Sequence, residues 1–304
     1  MGFTLVQLRY FLVAAERGSV TEASLELHIA QSAVSAAIYN LERDLQVQLF
    51  IRRRGRGLTL TPAGRGSDSR RGSCWPVPGR SNGRPGRRRD TLRAGGRRLL
   101  RDPGPYYLPP LFTECTTRYP DIEIEVVEAE TDQLVHALGA GRVDFALTYD
   151  LGLAPETELR SETIARAPAY VIVPADHPLA DRGAVELAEL SAEPLVLLDL
   201  PHSRDYFRSL VAATGTAPDV RYRTQSYETV RSLVARGLGY SVLNQRPATG
   251  RTYGGGEIAI LELRDDSPPL EVKLASVEGV NQTARARAVM ELLREIAAAP
   301  DPRG

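Results

Sequence analysis

The amino-acid sequence predicts two folded parts of different class: a mainly α winged helix-turn-helix over residues 1–61, and an α/β part from residue 105 onward. Three observations carry this. Two amphipathic helical patterns meet at a three-residue turn just before Gln31. Strand and helix patterns alternate regularly after Pro105. Residues 65–104 match neither side in composition.

In the first part, Thr4 to Arg17 places Leu5, Leu8, Phe11, Leu12 and Ala15 at the i, i+3, i+4, i+7 spacing of an amphipathic helix. Gly18 ends it, and Ser19 can cap the next segment. Val20 to Leu27 forms a short second helix with Val20, Ala23 and Leu27 inward. His28-Ile29-Ala30 leaves room only for a tight turn, and Gln31 to Leu45 resumes the period through Val34, Ile38, Leu41 and Leu45. With small residues at Ala23 and Ala30, where backbones approach, this is a helix-turn-helix. The outer face of the third helix carries Gln31, Ser32, Ser35, Ala36 and Tyr39, short or amide-bearing side chains rather than the Glu/Lys mix of a merely solvated helix. Short side chains let a helix sit deep in a major groove, and Gln can bond an adenine edge twice. Leu49-Phe50-Ile51, then RRRGRG, then Leu58-Thr59-Leu60 reads as a hairpin whose Arg52, Arg53, Arg54 and Arg56 would reach phosphates or the minor groove. Ser19 and Thr21, at the start of the second helix, complete the candidate DNA-contacting set. The plainer alternative is a small helical domain with a solvated basic loop; turn, outer face and basic hairpin in this order favour duplex DNA.

Thr61-Pro62 is a helix start, but the residues after it do not continue one. Gly66 to Asp90 contain five glycines and three prolines, which together disfavour a continuous helix by about 14 kcal/mol relative to alanine. Residues 65–101 hold twelve arginines against two acids in a chain of zero net charge. Three readings compete: a flexible linker, a basic arm that binds phosphates, and a shift of reading frame. Nineteen of the twenty-five residues from 66 to 90 are Gly, Pro, Arg or Ser, the residues GC-rich codons yield when read one base out. The spacing favours compensating frame changes near 65 and 104. No functional role is expected for Cys74 or Trp75.

From Tyr106 the pattern is regular. A helix is predicted from Pro109 to Tyr119, a strand from Ile122 to Val127, a helix from Thr131 to Gly139 and a buried strand from Val143 to Tyr149. Strand 170–173, a helix near 185–190, strand 195–199, helix 204–213, strand 220–224, helix 227–236 and strands 240–243, 258–263 and 270–277 follow, with a last helix over 281–298. Such alternation implies largely parallel sheets with ligands at their carboxyl ends.

The run Ala23…His28-Ile29-Ala30-Gln31-Ser32-Ala33-Val34-Ser35…Leu41-Glu42…Leu49-Phe50, with Leu58-Thr59-Leu60-Thr61-Pro62-Ala63-Gly64, resembles the DNA-binding domain of LysR-type transcriptional regulators. PDIEIEVVEAETDQLVHALGAGRVDFALTYD and YETVRSLVARGLGYSVLNQRP resemble the effector domain of the same family. The resemblance implies base contacts by Gln31, Ser32 and Ser35; Ala36 stands where the family often has Arg. It implies a periplasmic-binding-protein type II-like effector domain of two Rossmann-like subdomains, residues 105–162 plus 268–300 and residues 163–267, joined by two crossing strands. It also implies a homodimer or homotetramer, with RNA polymerase a partner in turn. The family's long dimer helix would begin at Thr61-Pro62, and the composition of residues 62–104 opposes it, so tight dimerisation through 62–90 is not expected. The first strand of the effector domain is expected to be lost with it.

Strand ends and helix starts give the candidate effector-binding residues: Thr148, Asp150, His202, Ser203, Arg204, Ser226, Tyr227 and Asn244. Helix N-termini with Arg204 suit an anion such as a carboxylate. Each of these residues alone reads equally well as a cap or turn residue, and His136 and His177 read as structural. No cofactor or metal is expected, because two cysteines and four scattered histidines build no ligand cluster. No apolar run suits a bilayer and no signal peptide is legible, so the chain is expected in the cytoplasm. A solute-binding protein without a DNA role, or a regulator crippled by its linker, are the alternatives. No P-loop, dinucleotide fingerprint or nucleophile set argues for an enzyme.

Overall fold

The computed structural model describes residues 3–53, 57–65, 96–100, 104–129, 131–150, 158–200, 203–212, 215 and 218–299. The N-terminal elements are α1 (Leu5–Arg17), α2 (Val20–Leu27), α3 (Gln31–Leu45), β1 (Phe50–Arg53), β2 (Gly57–Leu60) and the single turn α4 (Pro62–Arg65). Then come β3 (Gly96–Leu100), α5 (Gly104–Arg118), β4 (Ile124–Val127), α6 (Thr131–Gly139), β5 (Val143–Tyr149), β6 (Leu159–Ala167) and β7 (Tyr170–Pro174). The rest are β8 (Ala184–Val185), β9 (Leu195–Leu198), α7 (Arg204–Ala212), β10 (Val220–Thr224), α8 (Tyr227–Val234), β11 (Ser241–Leu243), β12 (Ile258–Leu263), β13 (Leu270–Val277) and α9 (Ala284–Ala298). The chain divides into two compact units, one of residues 1–148, 154–162 and 274–297, the other of 149–153, 163–273 and 298–304. Most of the arginine-rich segment, residues 66–95, lies outside the described residues, as do Cys74 and Trp75.

In the first unit, α1 starts at a capping box: the Thr4 hydroxyl accepts the Gln7 N–H at 3.2 Å and Gln7 Oε1 accepts the Thr4 N–H at 2.6 Å. Its apolar face packs Phe11 and Ala14 with Ala23, Val34, Ile38, Leu41, Leu49 and Phe50. The Phe11 and Phe50 rings lie 5.3 Å apart and tilted. β1 and β2 pair antiparallel, Phe50 opposite Leu60 and Arg53 opposite Gly57. Gly57 must be glycine: a Cβ there would meet the Gly18 carbonyl oxygen at 2.6 Å. The wing is tied to α3 by Glu42, whose Oε1 accepts the N–H of Leu49 at 2.8 Å and of Phe50 at 3.2 Å.

The same unit holds a five-stranded sheet in the order β4-β3-β5-β13-β6. β3 runs parallel to both β4 and β5. This corrects the expectation that the first strand after the linker is lost: Gly96–Leu100 forms it, because two flanking strands satisfy its backbone whatever the local composition. β6 was not anticipated from sequence. The helix expected from Pro109 instead begins at Gly104, and Pro109 and Pro110 sit inside it. Burial of Tyr107, Leu111 and Cys115 at i, i+4 and i+8 outweighs the backbone bonds that two prolines cannot make.

The second unit is built on one core of Tyr170–Val173, Leu195–Leu198, Phe207, Val230, Val234, Tyr240, Val242 and Leu261. Its four-stranded sheet, β11-β7-β12-β8, is mixed: β7 is antiparallel to both β11 and β12. Largely parallel sheets were expected, but no helix separates β6 from β7 or β11 from β12, and without a crossover helix the strands need not run parallel. Around 185–190 the chain forms β8 and a 3-10 turn, Leu187–Leu190, in place of an α-helix.

Glu42→Ala leaves two half-buried wing N–H groups without their carboxylate and is expected to destabilise the first unit by about 2 kcal/mol, with Glu42→Gln costing about half as much. Chemical denaturation of the full chain checks the order.

Candidate functional site

The turn between α2 and α3 is closed by His28 in the left-handed region, φ 54°, and Ala30 leads directly into α3. With Val34, Ile38 and Leu41 buried, the helical period leaves Gln31, Ser32, Ala36 and Tyr39 exposed and Ser35 half-buried. Tyr39 is 62% exposed. Four of the sequence-selected residues thus share one continuous face, and no charged side chain interrupts it between Gln31 and Tyr39. Thr21 is exposed, whereas Ser19 is half-buried and its hydroxyl accepts the Glu22 N–H at 3.3 Å, so it serves as the α2 cap. Arg52 and Arg53 lie on β1. Arg54 and Arg56 fall outside the described residues.

Among the effector candidates in the second unit, two stand out. Ser203 and Asn244 are 6% and 7% exposed, and Ser203 Oγ and Asn244 Oδ1 are buried without a hydrogen-bond partner. Ser203 occupies the position before α7 where a hydroxyl commonly caps the helix, yet it makes no cap bond. Asn244 Nδ2 donates to the Ala167 carbonyl at 2.8 Å and to the Tyr206 hydroxyl at 3.1 Å. Tyr206, one turn along α7 from Ser203, was missed in the sequence; it donates in turn to the Pro268 carbonyl at 3.0 Å. Burial pushes its phenol above the ordinary value against the opposing Asn244 bond.

The other candidates among the described residues are placed differently. Arg204 is ion-paired with Asp199. Ser226 caps α8 by accepting the Thr229 N–H at 3.3 Å. The Tyr227 hydroxyl lies 2.7 Å from that of Tyr170 and donates to the Gln245 carbonyl at 2.5 Å. Thr148 is buried in β5 of the first unit. His202 falls outside the described residues. His177 is bound through Nε2 to Glu193 at 3.0 Å and accepts the Leu179 N–H at Nδ1; it is structural. Among the described residues no group of three or more His, Cys, Asp or Glu could hold a metal ion, and no helix is long and apolar enough to cross a membrane.

Asp150 is paired with Lys273, the chain's one lysine. Lys273 Nζ sits 2.9 Å from Asp150 and 3.1 Å from Glu271. The Asp150 hydrogen bond foremost holds the lysine above its ordinary range, and the lysine holds Glu271 below the ordinary carboxylate range. A lowered Glu271 stabilises the fold above the ordinary carboxylate pKa and is lost as pH falls through its folded value; a raised Lys273 stabilises below the ordinary lysine pKa and is lost as pH rises through its own. Lys273→Met should therefore cost most between about pH 5 and pH 10 and least at either extreme. Urea midpoints of both proteins across that range check it.

Residues 5–65 match the pattern described as "Bacterial regulatory helix-turn-helix protein, lysR family", and residues 99–298 match the "LysR substrate binding domain". The DNA-binding transcriptional dual regulator OxyR of Escherichia coli is 28% identical over 255 residues, covering 78% of this chain and 77% of its own. A hydrogen peroxide-inducible genes activator of Dickeya chrysanthemi is also 28% identical over 255 residues, with 78% and 77% covered. The crystal structure of HinK, a LysR family transcriptional regulator from Pseudomonas aeruginosa, superposes with a TM-score of 0.63 at 29% identity, covering 97% of this chain and 98% of that one. The helix-turn-helix, the α/β units and these likenesses together place the chain in the LysR family of transcriptional regulators, with a DNA-binding head and an effector-binding domain.

Proposed function

We propose that this regulator reads an operator with α3 in the major groove, Gln31, Ser32 and Ser35 toward base edges, Tyr39, Ser19 and Thr21 beside them, and Arg52, Arg53, Arg54 and Arg56 along phosphates or the minor groove. The carrying observation is the uncharged, short-chained face of α3, which a merely solvated helix would not need. In this reading the chain works in the cytoplasm, where its DNA is. Its partners are duplex DNA, one small effector, RNA polymerase at the promoter and a second copy of the chain.

The effector reading rests on Ser203 and Asn244. A buried, unbonded polar atom costs about 1–3 kcal/mol, and a ligand that bonds it recovers that cost. Asn244 Oδ1 asks for a donor; Ser203 Oγ and the N-terminal turn of α7 suit a carboxylate. An incoming anion would also compete with Asp199 for Arg204. The effector is thus a small molecule with both a carboxylate and a donor group. The name of the Dickeya relative raises peroxide as a second reading. Peroxide attacks exposed thiolates, and Cys115, the cysteine among the described residues, is 2% exposed in α5; the polar organic effector is the better supported.

Selection from randomised duplexes should yield one preferred operator for the full chain. Gln31→Ala with Ser35→Ala should weaken that operator by about 100-fold while binding to random duplex in low salt is retained; retained preference would count against this face. Ser203→Ala should raise the melting temperature by a few degrees, as removal of a stranded hydroxyl predicts. The same variant should respond less than wild type to hydroxy- and amino-carboxylates in a thermal-shift panel. A fall in melting temperature would show the hydroxyl already satisfied.

A further inference from the structure

Neighbouring residues of a strand face opposite sides, and on β1 the two sides meet different cores. Phe50 packs with Phe11, Val34 and Ile38 of the DNA-binding head. Ile51, 4% exposed, belongs instead to a core with Leu134, Ala137 and Leu138 of α6 and Val143, Ala146, Ala275 and Val277 of the effector sheet. Three polar or backbone contacts surround it. Arg65 donates to the Ala140 carbonyl. The Asn281 N–H donates to Gln48 Oε1 at 2.7 Å. Gly141, at φ 62°, lies so close to the wing that a Cβ would meet the Leu60 carbonyl oxygen at 2.1 Å.

We propose that the wing is docked in cis on the effector sheet through Ile51, and that this dock couples DNA reading to effector binding. A solvated wing needs no isoleucine on its outer side and no side-chain-free approach at Gly141. The strands beneath the dock also lead to the effector candidates: β5 carries Val143 and Ala146 under Ile51 and runs on to Asp150, and β13 carries Lys273 two residues before Ala275. An effector that disturbs the Asp150–Lys273 pair shifts strands that the wing rests on. The coupling half rests on the operator reading above; the dock itself does not.

Hydrogen–deuterium exchange on the full chain separates the two. Without DNA, Ile51→Asp should speed exchange over 138–147 and 275–281 by about tenfold or more, leaving 170–173 and 195–198 of the second unit unchanged. Gly141→Ala should do the reciprocal, speeding exchange over 58–61 while amides of α1 and α3 keep their protection. No change across the contact in either variant overturns the dock. Adding the selected operator duplex should protect 143–147 and 275–277 in wild type, and in Ile51→Asp only residues of the head. Bound duplex with no protection beyond the head in wild type overturns the coupling. Failure of wild type to prefer any duplex would strike the operator reading and, with it, the coupling, and would leave the dock standing on the DNA-free exchange.

Discussion

The wing strand β1 joins two apolar cores, and its two-sidedness is the constraint from which most of the first unit follows. Phe50 closes the head and Ile51 closes the base of the effector sheet. Because side-chain direction alternates with strict period two, neither can be satisfied unless the other is. A one-residue slip would send each of the two toward the other's core. Glu42 guards the register from the α3 side by holding the N–H groups of Leu49 and Phe50. Helix α3 therefore carries both the acid that fixes the wing and, on its outer face, the uncharged residues from Gln31 to Tyr39. The uncharged outer face and the position of the wing are set by one helix.

The second unit makes a different compromise. Several of its polar groups are paired: Tyr170 and Tyr227 share the Gln245 carbonyl, and the Arg231 terminal nitrogens are held by Glu228 and by the carbonyls of Thr249 and Arg251. Four buried side-chain atoms among the described residues have no partner, Ser203 Oγ, Asn244 Oδ1, Ser241 Oγ and Arg231 Nε, and of these the first two belong to effector candidates. Stranding a buried polar atom lowers stability. Burial and an unpaired side-chain atom together mark Ser203 and Asn244 among the described candidates, and Tyr206 accepts a hydrogen bond from Asn244.

The helix-turn-helix was legible to the residue: α2 and α3 begin and end where glycine, caps and the apolar period put them, because short local signals decide helix ends. β3 was not legible. Gly96-Arg97-Arg98-Leu99-Leu100 continues the arginine- and glycine-rich composition before it, and what makes it a strand is pairing with β4 and β5, distant in sequence. The early start of α5 was hidden for the converse reason: Pro109 and Pro110 are strong local signals, overridden by burial of Tyr107 and Leu111. Strand ends and helix starts put Ser203 and Asn244 among the candidates, yet no local pattern distinguishes an unpaired serine from the capping Ser226. That difference is tertiary, and so was the role of Ile51, an apolar residue in a wing whose outer neighbour only the fold reveals.

The strands that lie under Ile51 also bear the one lysine. Lys273 is held between Asp150 and Glu271, with Thr163 also bonded to Glu271 at 3.0 Å. A compact ammonium on a flexible stem suits two carboxylates at the end of β5, where the planar fork of arginine would favour one bidentate partner. The pair ties the exit of β5 to β13 through charge, while the Asp150 N–H to the Glu271 carbonyl, 2.9 Å, ties them through backbone. Two bonds of different kind at one strand end resist small displacements and yield together when one is broken. A strand end anchored by both is held more firmly than by either alone.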